Sequence, residues 1–252
     1  QYPVLIFGEI NGYGPASSRP AFDAIIQAES GFTYLNGLPE KTYKMPVALM
    51  DVLAAHQLCQ GLLLAYIKRL KTGRGSRVSV SLLQAGLSGL VNQASNWLVA
   101  GHIPQPMGSA HPNIVPYGSQ YQTQDGSSIV LAVGNDRQFS ALCEVLGIHP
   151  NPGWATNPGR VLDRSVLEST LQAAFKQQRS EDLMQAFHAR NIPAGVVKRM
   201  PETLADPLAL EILLAEKGVR RFVGTGLPRI DLSSPPKLGA HNEQIRKEFG
   251  GA

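Results

Sequence analysis

An α/β protein in two lobes is what the sequence predicts, and three features carry that expectation. Residues 4–10 form a short apolar, β-branched run entering the turn Asn11-Gly12-Tyr13-Gly14-Pro15, the pattern of a strand that delivers the chain to a tight loop. After Asp51 the apolar residues Ala55, Leu58, Cys59, Leu62, Leu63, Tyr66, Ile67 and Leu70 recur at helical spacing, so a long, largely buried helix is expected there, stopped by Gly73 and Gly75. Residues 100–118 are rich in proline and glycine and mark a boundary, beyond which a hairpin and several short amphipathic helices follow. The expected organisation is a first lobe over 1–100, a linker over 101–118, and a small domain over 119–200.

The remaining elements read in order. Phe22, Ile25, Ile26 and Ala28 suggest a short helix over 21–32, closed by Gly31. Residues 45–50 are a second short apolar run, leading into the long helix. Residues 77–82 alternate as a strand would, yet Leu83, Leu87, Leu90, Val91 and Ala94 favour one buried helix over 81–97. In the small domain, strands over 119–123 and 128–133 flank the turn Gln124-Asp125-Gly126. Helices follow over 137–146, over 166–177 with Ser165 and Glu168 as a capping box, and over 181–190. Residues 228–238 read as a proline-rich connection before a polar helix over 242–249.

Composition narrows the function. At 252 residues, 43% hydrophobic and 17% charged, the chain is long and apolar enough for a sizeable core. Its densest basic run, Lys68, Arg69, Lys71, Arg74 and Arg77, has no interleaved aromatics for stacking on bases, so nucleic acid is not an expected partner. A solvated helix end explains that run, and a site for the phosphates of an anionic ligand is the alternative. Cys59 and Cys143 are far apart and form no CxxC, and the six histidines include no HExxH, so neither disulfide nor metal is expected. No run reaches the roughly 20 apolar residues of a membrane span, and no signal-peptide pattern opens the chain, so a cytoplasmic protein is expected.

Several catalytic motifs are missing. Gly86-Leu87-Ser88-Gly89 lacks the GxSxG spacing of a nucleophile elbow, and there is neither a GxxxxGK[ST] phosphate loop nor a GxGxxG after a strand. What remains is one acid in a suggestive place: Asp51, at the start of the long helix, where the helix dipole favours an anion. An ionised carboxylate there can be a nucleophile. It can equally be an N-cap, and composition and spacing alone favour the cap.

The residues themselves resemble a known family. The strings GYGPASSRPAFDAIIQAESGFTYLNG and PVALMDVLAAHQLCQGLLLAYIKRLKTGRGSRVSVSL look like the core signature of the family III CoA transferases. That CaiB/BaiF-type group includes formyl-CoA transferase, the carnitine and bile-acid CoA transferases and the α-methylacyl-CoA racemases. MGSAHPNIVPYGSQYQTQDGSSIVLAVGNDRQFSALCEVLG, IPAGVVKRMPETLADP and PPKLGAHNEQIRKE are similar to it as well, in the right order.

The resemblance implies a CaiB/BaiF-type fold: an open parallel-sheet, Rossmann-like large domain, a small α+β domain, and 201–252 as linker and return to the large domain. It also implies an interlocked, ring-like homodimer with each active site where two chains meet. Asp51 falls on the family's catalytic carboxylate. The implied substrates are an acyl-CoA and a small carboxylic acid, with coenzyme A carried as a thioester and no metal. Exchange of one acid for another conserves the thioester, which agrees with the missing phosphate loop.

Three departures qualify this. Where the racemases carry Gly-His-Asp, this chain has Ala21-Phe22-Asp23, and phenylalanine cannot accept a proton, so transfer is favoured over racemisation. Phe22 and Asp23 match an aromatic and an acid beside the thioester in formyl-CoA transferase, so a site role passes to both; core packing and a helix cap are their bland alternatives. Gly14 joins them as part of a turn able to approach a ligand. In place of a four-glycine loop the chain has Gly108-Ser109-Ala110-His111-Pro112, which weakens an oxalate reading; His111 either meets the acceptor carboxylate or is an ordinary loop histidine. Lastly, the family usually has a substantial stretch ahead of the point matching Tyr2, so a fragment, a split subunit or a misread frame is expected, with a non-catalytic CoA-binding subunit as one outcome.

Overall fold

The computed structural model describes residues 2–216, 219–222 and 235–250, which divide into two compact units, Gln1–Val196 and Val197–Ala252. In the first unit, β1 (Ile6–Asn11) leads through the Gly12–Pro20 turn to α1 (Asp23–Glu29). Gly31, at φ 89°, ends that helix as its position suggested, and α2 (Phe32–Leu35) is a single turn beyond it. β2 (Gly37–Leu38) and β3 (Lys41–Thr42) make a minimal hairpin before α3 (Leu49–Thr72). The 24 residues of α3 end on Gly73 at φ 68°, with Arg69 and Lys71 in the last turn where their charge offsets the helix dipole.

β4 (Ser76–Ser81) then runs parallel to β1, from Ile6 opposite Ser76 to Asn11 opposite Ser81. The parallel sheet is thus present as two strands among the described residues. α3 lies close against it because Gly61 carries no side chain: a Cβ there would stand 2.5 Å from the Val78 side chain.

The single helix expected over 81–97 is not present. Ser81 instead ends β4 and caps α4 (Leu82–Gly89), its hydroxyl accepting the Gln84 N–H at 3.0 Å. α5 (Asn92–Ala100) starts after a break at Val91, whose φ of 41° is incompatible with a continuous right-handed helix. The expectation that α3 is largely buried also fails. Only Met50, Ala54 and Ala65 of α3 are buried, while Leu63, Leu64, Ile67 and Leu70 are exposed.

α3 is, by length and composition, apolar enough to cross a membrane, which corrects the expectation that no such stretch exists. Within this chain it packs instead against β1, β4, α1 and α4.

Beyond the 101–118 stretch a second core forms in the same unit. β5 (Tyr117–Gln122), β6 (Ser128–Ala132) and β7 (Ala194–Val196) make an antiparallel sheet in that order, with α6 (Asp136–Leu146), α7 (Asn157–Leu162), α8 (Arg164–Phe175) and α9 (Ser180–Ala189) between β6 and β7. Tyr121, Ile129, Leu131, Leu142, Leu171, Phe175 and Phe187 are buried together, and Tyr121 stacks on Phe175 at 4.7 Å. The hairpin and three of the helices match the sequence expectation closely. The capping box does not: α8 begins two residues earlier, and the Glu168 carboxylate instead accepts from the Ser119 and Tyr121 hydroxyls at 2.6 and 2.5 Å.

In the second unit, α10 (Met200–Leu204), α11 (Pro207–Glu211), β8 (Leu213–Glu216), β9 (Val219–Phe222) and α12 (Asn242–Phe249) are short. Much of the connection expected over 228–238 lies outside the described residues.

Arg160 of α7 is fully buried, and its guanidinium donates to the Val115 and Trp154 carbonyls at 2.8 and 2.9 Å and to the Asp136 carboxylate at 2.7 Å. Asp136 is 55% exposed, so the ion pair itself contributes little, and the two buried carbonyls carry the cost of losing the donor. Arg160→Leu is expected to destabilise the fold by roughly 2–4 kcal/mol in urea denaturation. Both cysteines are free; burial pushes the Cys143 thiol up to about 11, while Cys59 is exposed. A chromogenic disulfide at pH 7.5 should therefore titrate one thiol in the native protein and two in denaturant.

Candidate active site

The start of α3 is organised from outside the helix. Its N-cap is Ala48, whose side chain cannot accept a hydrogen bond. The missing acceptor comes from α1: Asp23 Oδ1 accepts the Met50 N–H at 2.9 Å, and Oδ2 accepts from Gln27 Nε2 at 2.7 Å. Gln27 goes on to grip the segment leading into α3, taking the Met45 N–H on Oε1 at 2.7 Å. Its Nε2 donates to the carbonyls of Val47 and Met45 at 3.1 and 3.3 Å. Asp23 is 9% exposed and Gln27 is fully buried. Asp23 is also the first residue of α1, so its carboxylate sits at the positive ends of two helices.

Asp51 is not the cap. It is the third residue of α3, exposed, and its carboxylate has no hydrogen bond or ion pair among the described residues. Its own N–H is likewise without a partner among them, since Leu49 N donates to Val47 O, Met50 N to Asp23, and Val52 N to Ala48 O. The structural task that competed with catalysis for Asp51 is therefore performed by Asp23.

The other sequence candidates fall in two places. Phe22 adjoins Asp23 and is 75% exposed, so it contributes nothing to the core. Gly14, at φ 106°, donates its N–H to Asn11 Oδ1 at 2.5 Å, and its turn approaches the same segment because Gly12 lies against Ala21. A Cβ on Gly12 would stand 2.2 Å from the Ala21 Cβ. Phe22, Asp23 and Asp51 thus lie around the α1 and α3 starts, and Gly14 follows two residues after the Gly12 that meets Ala21.

His111 is held elsewhere. Its Nδ1 accepts the Asn113 N–H at 3.1 Å, its ring meets Tyr117 edge-on at 5.4 Å, and Arg164 Nη2 donates to its carbonyl at 3.0 Å. No hydrogen bond joins it to Asp51 among the described residues. A hollow of about 320 Å³ at the α3 start is lined by Phe32, Leu35, Met45, Leu49, Leu90 and Val91 among others. Gln27 is the residue that sequence reasoning missed. Its spacing of four from Asp23 on one helix was the available signal.

A family model for CoA-transferase family III matches residues 1–242. The chain belongs to that family. Among curated members it is similar to the succinate–glutarate CoA-transferase of Agrobacterium fabrum, with 32% identity covering 98% of this chain and 66% of that protein. A human succinyl-CoA:glutarate CoA-transferase is 29% identical, with 98% and 60% covered. Among solved structures, a CAIB/BAIF family protein from Brucella suis superposes with a TM-score of 0.81 at 33% identity, covering 98% of this chain and 68% of that one. The chain spans less than two thirds of the length of those two curated family members. The CaiB/BaiF-type α/β fold expected from the resemblance is therefore present over the described residues.

The two acids should separate in stability measurements. Asp51→Asn is expected to shift the urea midpoint only slightly, because no described contact is lost and the helix field lends an exposed first-turn anion no more than about 0.3–1 kcal/mol. Asp23→Ala removes the acceptor for Met50 and Gln27 inside the core and should cost about 1–3 kcal/mol.

Proposed function

We propose that the protein is a CoA transferase that moves coenzyme A from an acyl-CoA to a carboxylic acid, with Asp51 as the covalent nucleophile. The observation that carries this reading is the exposed, unpartnered Asp51 carboxylate in the first turn of a helix whose cap is supplied by another acid. Membership of CoA-transferase family III and curated family members named for succinate and glutarate transfer support it.

The chemistry balances without a further reagent. Asp51 Oδ attacks the thioester carbonyl, the C–S bond breaks, and CoA thiolate leaves a mixed anhydride. The thiolate then attacks Asp51 Cγ, expelling the donor carboxylate and leaving an aspartyl-CoA thioester. The acceptor carboxylate attacks the same Cγ, expels the thiolate and forms a second anhydride. The thiolate finally attacks the acceptor carbonyl, yielding the new acyl-CoA and free Asp51. The open Asp51 N–H is a donor for the charge that develops on oxygen in these steps, and the exposed Phe22 ring is a surface for the thioester or its acyl group. His111 is assigned to the acceptor carboxylate, in the partner's site of an interlocked homodimer. The exposed Leu63, Leu64, Ile67 and Leu70 of α3 are the apolar surface that a second polypeptide would cover.

Succinyl-CoA and glutarate, in deuterated water, test the reading. Formation of glutaryl-CoA without deuterium at Cα is the expected result; deuterium at Cα without CoA exchange would mean α-proton abstraction, the chemistry of the racemases, and would sink the transfer reading. Asp51→Asn should lose turnover by several orders of magnitude and escape hydroxylamine trapping, because a neutral amide cannot attack the thioester. Near-parental exchange by Asp51→Asn would overturn the mechanism.

A further inference from the structure

We propose that Asp23 and Gln27 form a positioning pair for the Asp51 carboxylate, fixing the first turn of α3 without meeting substrate themselves. The proposal rests on the reading of Asp51 as the nucleophile. Two side chains of α1 bind the backbone at Met45, Val47 and Met50, the whole approach to Asp51. That approach has no side-chain cap of its own. Gln27 is fully buried, and both ends of its amide are consumed inside the protein, so it has neither access nor capacity for a ligand.

The donor and acceptor sense of the pair is fixed. The Met45 N–H can only donate, so Gln27 Oε1 faces it and Nε2 faces Asp23. Asp23 must then accept on both oxygens, from Gln27 and from the Met50 N–H. An asparagine at 23 would place an N–H against an N–H at one of those contacts. Met50 is also held by its side chain: it is fully buried with Ile26 and Ala85, and its sulfur lies 3.7 Å from the hydroxyl of Ser30, the α1 C-cap, whose proton goes to the Ile26 carbonyl at 2.6 Å. Any shift of α1 is thereby transmitted to Met50, one residue from Asp51. Attack on a thioester needs the carboxylate oxygen within about 3–3.5 Å of the carbonyl carbon, so a displacement of the first turn falls on the reaction step and not on CoA affinity.

The test uses Asp23→Asn, Gln27→Leu and the charge-exchanged double variant Asp23→Asn/Gln27→Glu, each also combined with Asp51→Asn. Asp23→Asn and Gln27→Leu should lower kcat roughly 10- to 100-fold with KM for acyl-CoA within about twofold. The double variant should regain only a small part of kcat: the amide at 23 then donates to the carboxylate at 27, but that carboxylate can no longer donate to the Val47 and Met45 carbonyls. Added to Asp51→Asn, none should cause a further loss, since both act through one group. Amide hydrogen exchange should show lost protection at Met45 and Met50, with the C-terminal half of α3 unchanged. A raised KM with unchanged kcat, additivity with Asp51→Asn, or unchanged exchange at Met50 would overturn the proposal. If Asp23→Asn does not fold, Gln27→Leu decides the same question. Retained activity in Asp51→Asn alone would sink the nucleophile reading, whereas normal trapping at Asp51 with unchanged kcat in Asp23→Asn and Gln27→Leu would sink only the positioning pair.

Discussion

The hydrogen bond from the Met50 N–H to the Asp23 carboxylate is the constraint on which the first core depends. A carboxylate that is 9% exposed is tolerable only where donors meet it, and here they come from the start of α3 and from Gln27. Forming that bond brings α1 against α3, which buries Ile26, Met50 and Ala54 with Leu82 and Ala85 of α4. The polar contact therefore selects which apolar surfaces meet. Burial then protects the bond from water, so each term strengthens the other.

α3 meets the sheet through Gly61, against Val78, and through Leu58 and Leu62, which reach Gly8 of β1, while Leu63, Leu64, Ile67 and Leu70 are exposed. Small residues let the helix axis approach the sheet closely, as the Gly61 contact with Val78 requires. Large apolar residues on the outer flank have no partner within the described residues. A two-stranded parallel sheet has the same property, because parallel strands are ordinarily covered on both faces and extended on both sides.

Apolar residues on both flanks of α3 explain what could and could not be read from sequence. Helical periodicity located α3 to within a few residues at each end, because period depends only on spacing. It could not say which flank is buried, since both flanks are apolar. The helix expected over 81–97 failed because a break at one residue, Val91, leaves the apolar pattern intact. The hairpin and α6, α8 and α9 were legible from turn residues and short amphipathic runs. The capping box failed for a different reason: Glu168 had two better donors, from Ser119 and Tyr121, nearly fifty residues away in the chain. The same blindness to distant partners made composition and spacing favour the cap for Asp51, whereas the acid that accepts from the α3 start lies 27 residues before the N–H it takes.

The division of work between the two acids has an electrostatic basis. An N-terminal helix turn offers a few unbonded N–H groups and the positive end of a dipole, and these are separable resources. Asp23, being buried, needs a donor and takes the one at Met50. Asp51, being exposed, needs none, and it receives the favourable field of α3 while remaining untethered. Had Asp51 capped its own helix, it would have had to give up that hydrogen bond in order to attack a carbonyl, adding the loss to the barrier. On the proposed mechanism, moving the cap to a neighbouring helix removes that cost and leaves the Asp51 N–H open where oxyanion charge would appear.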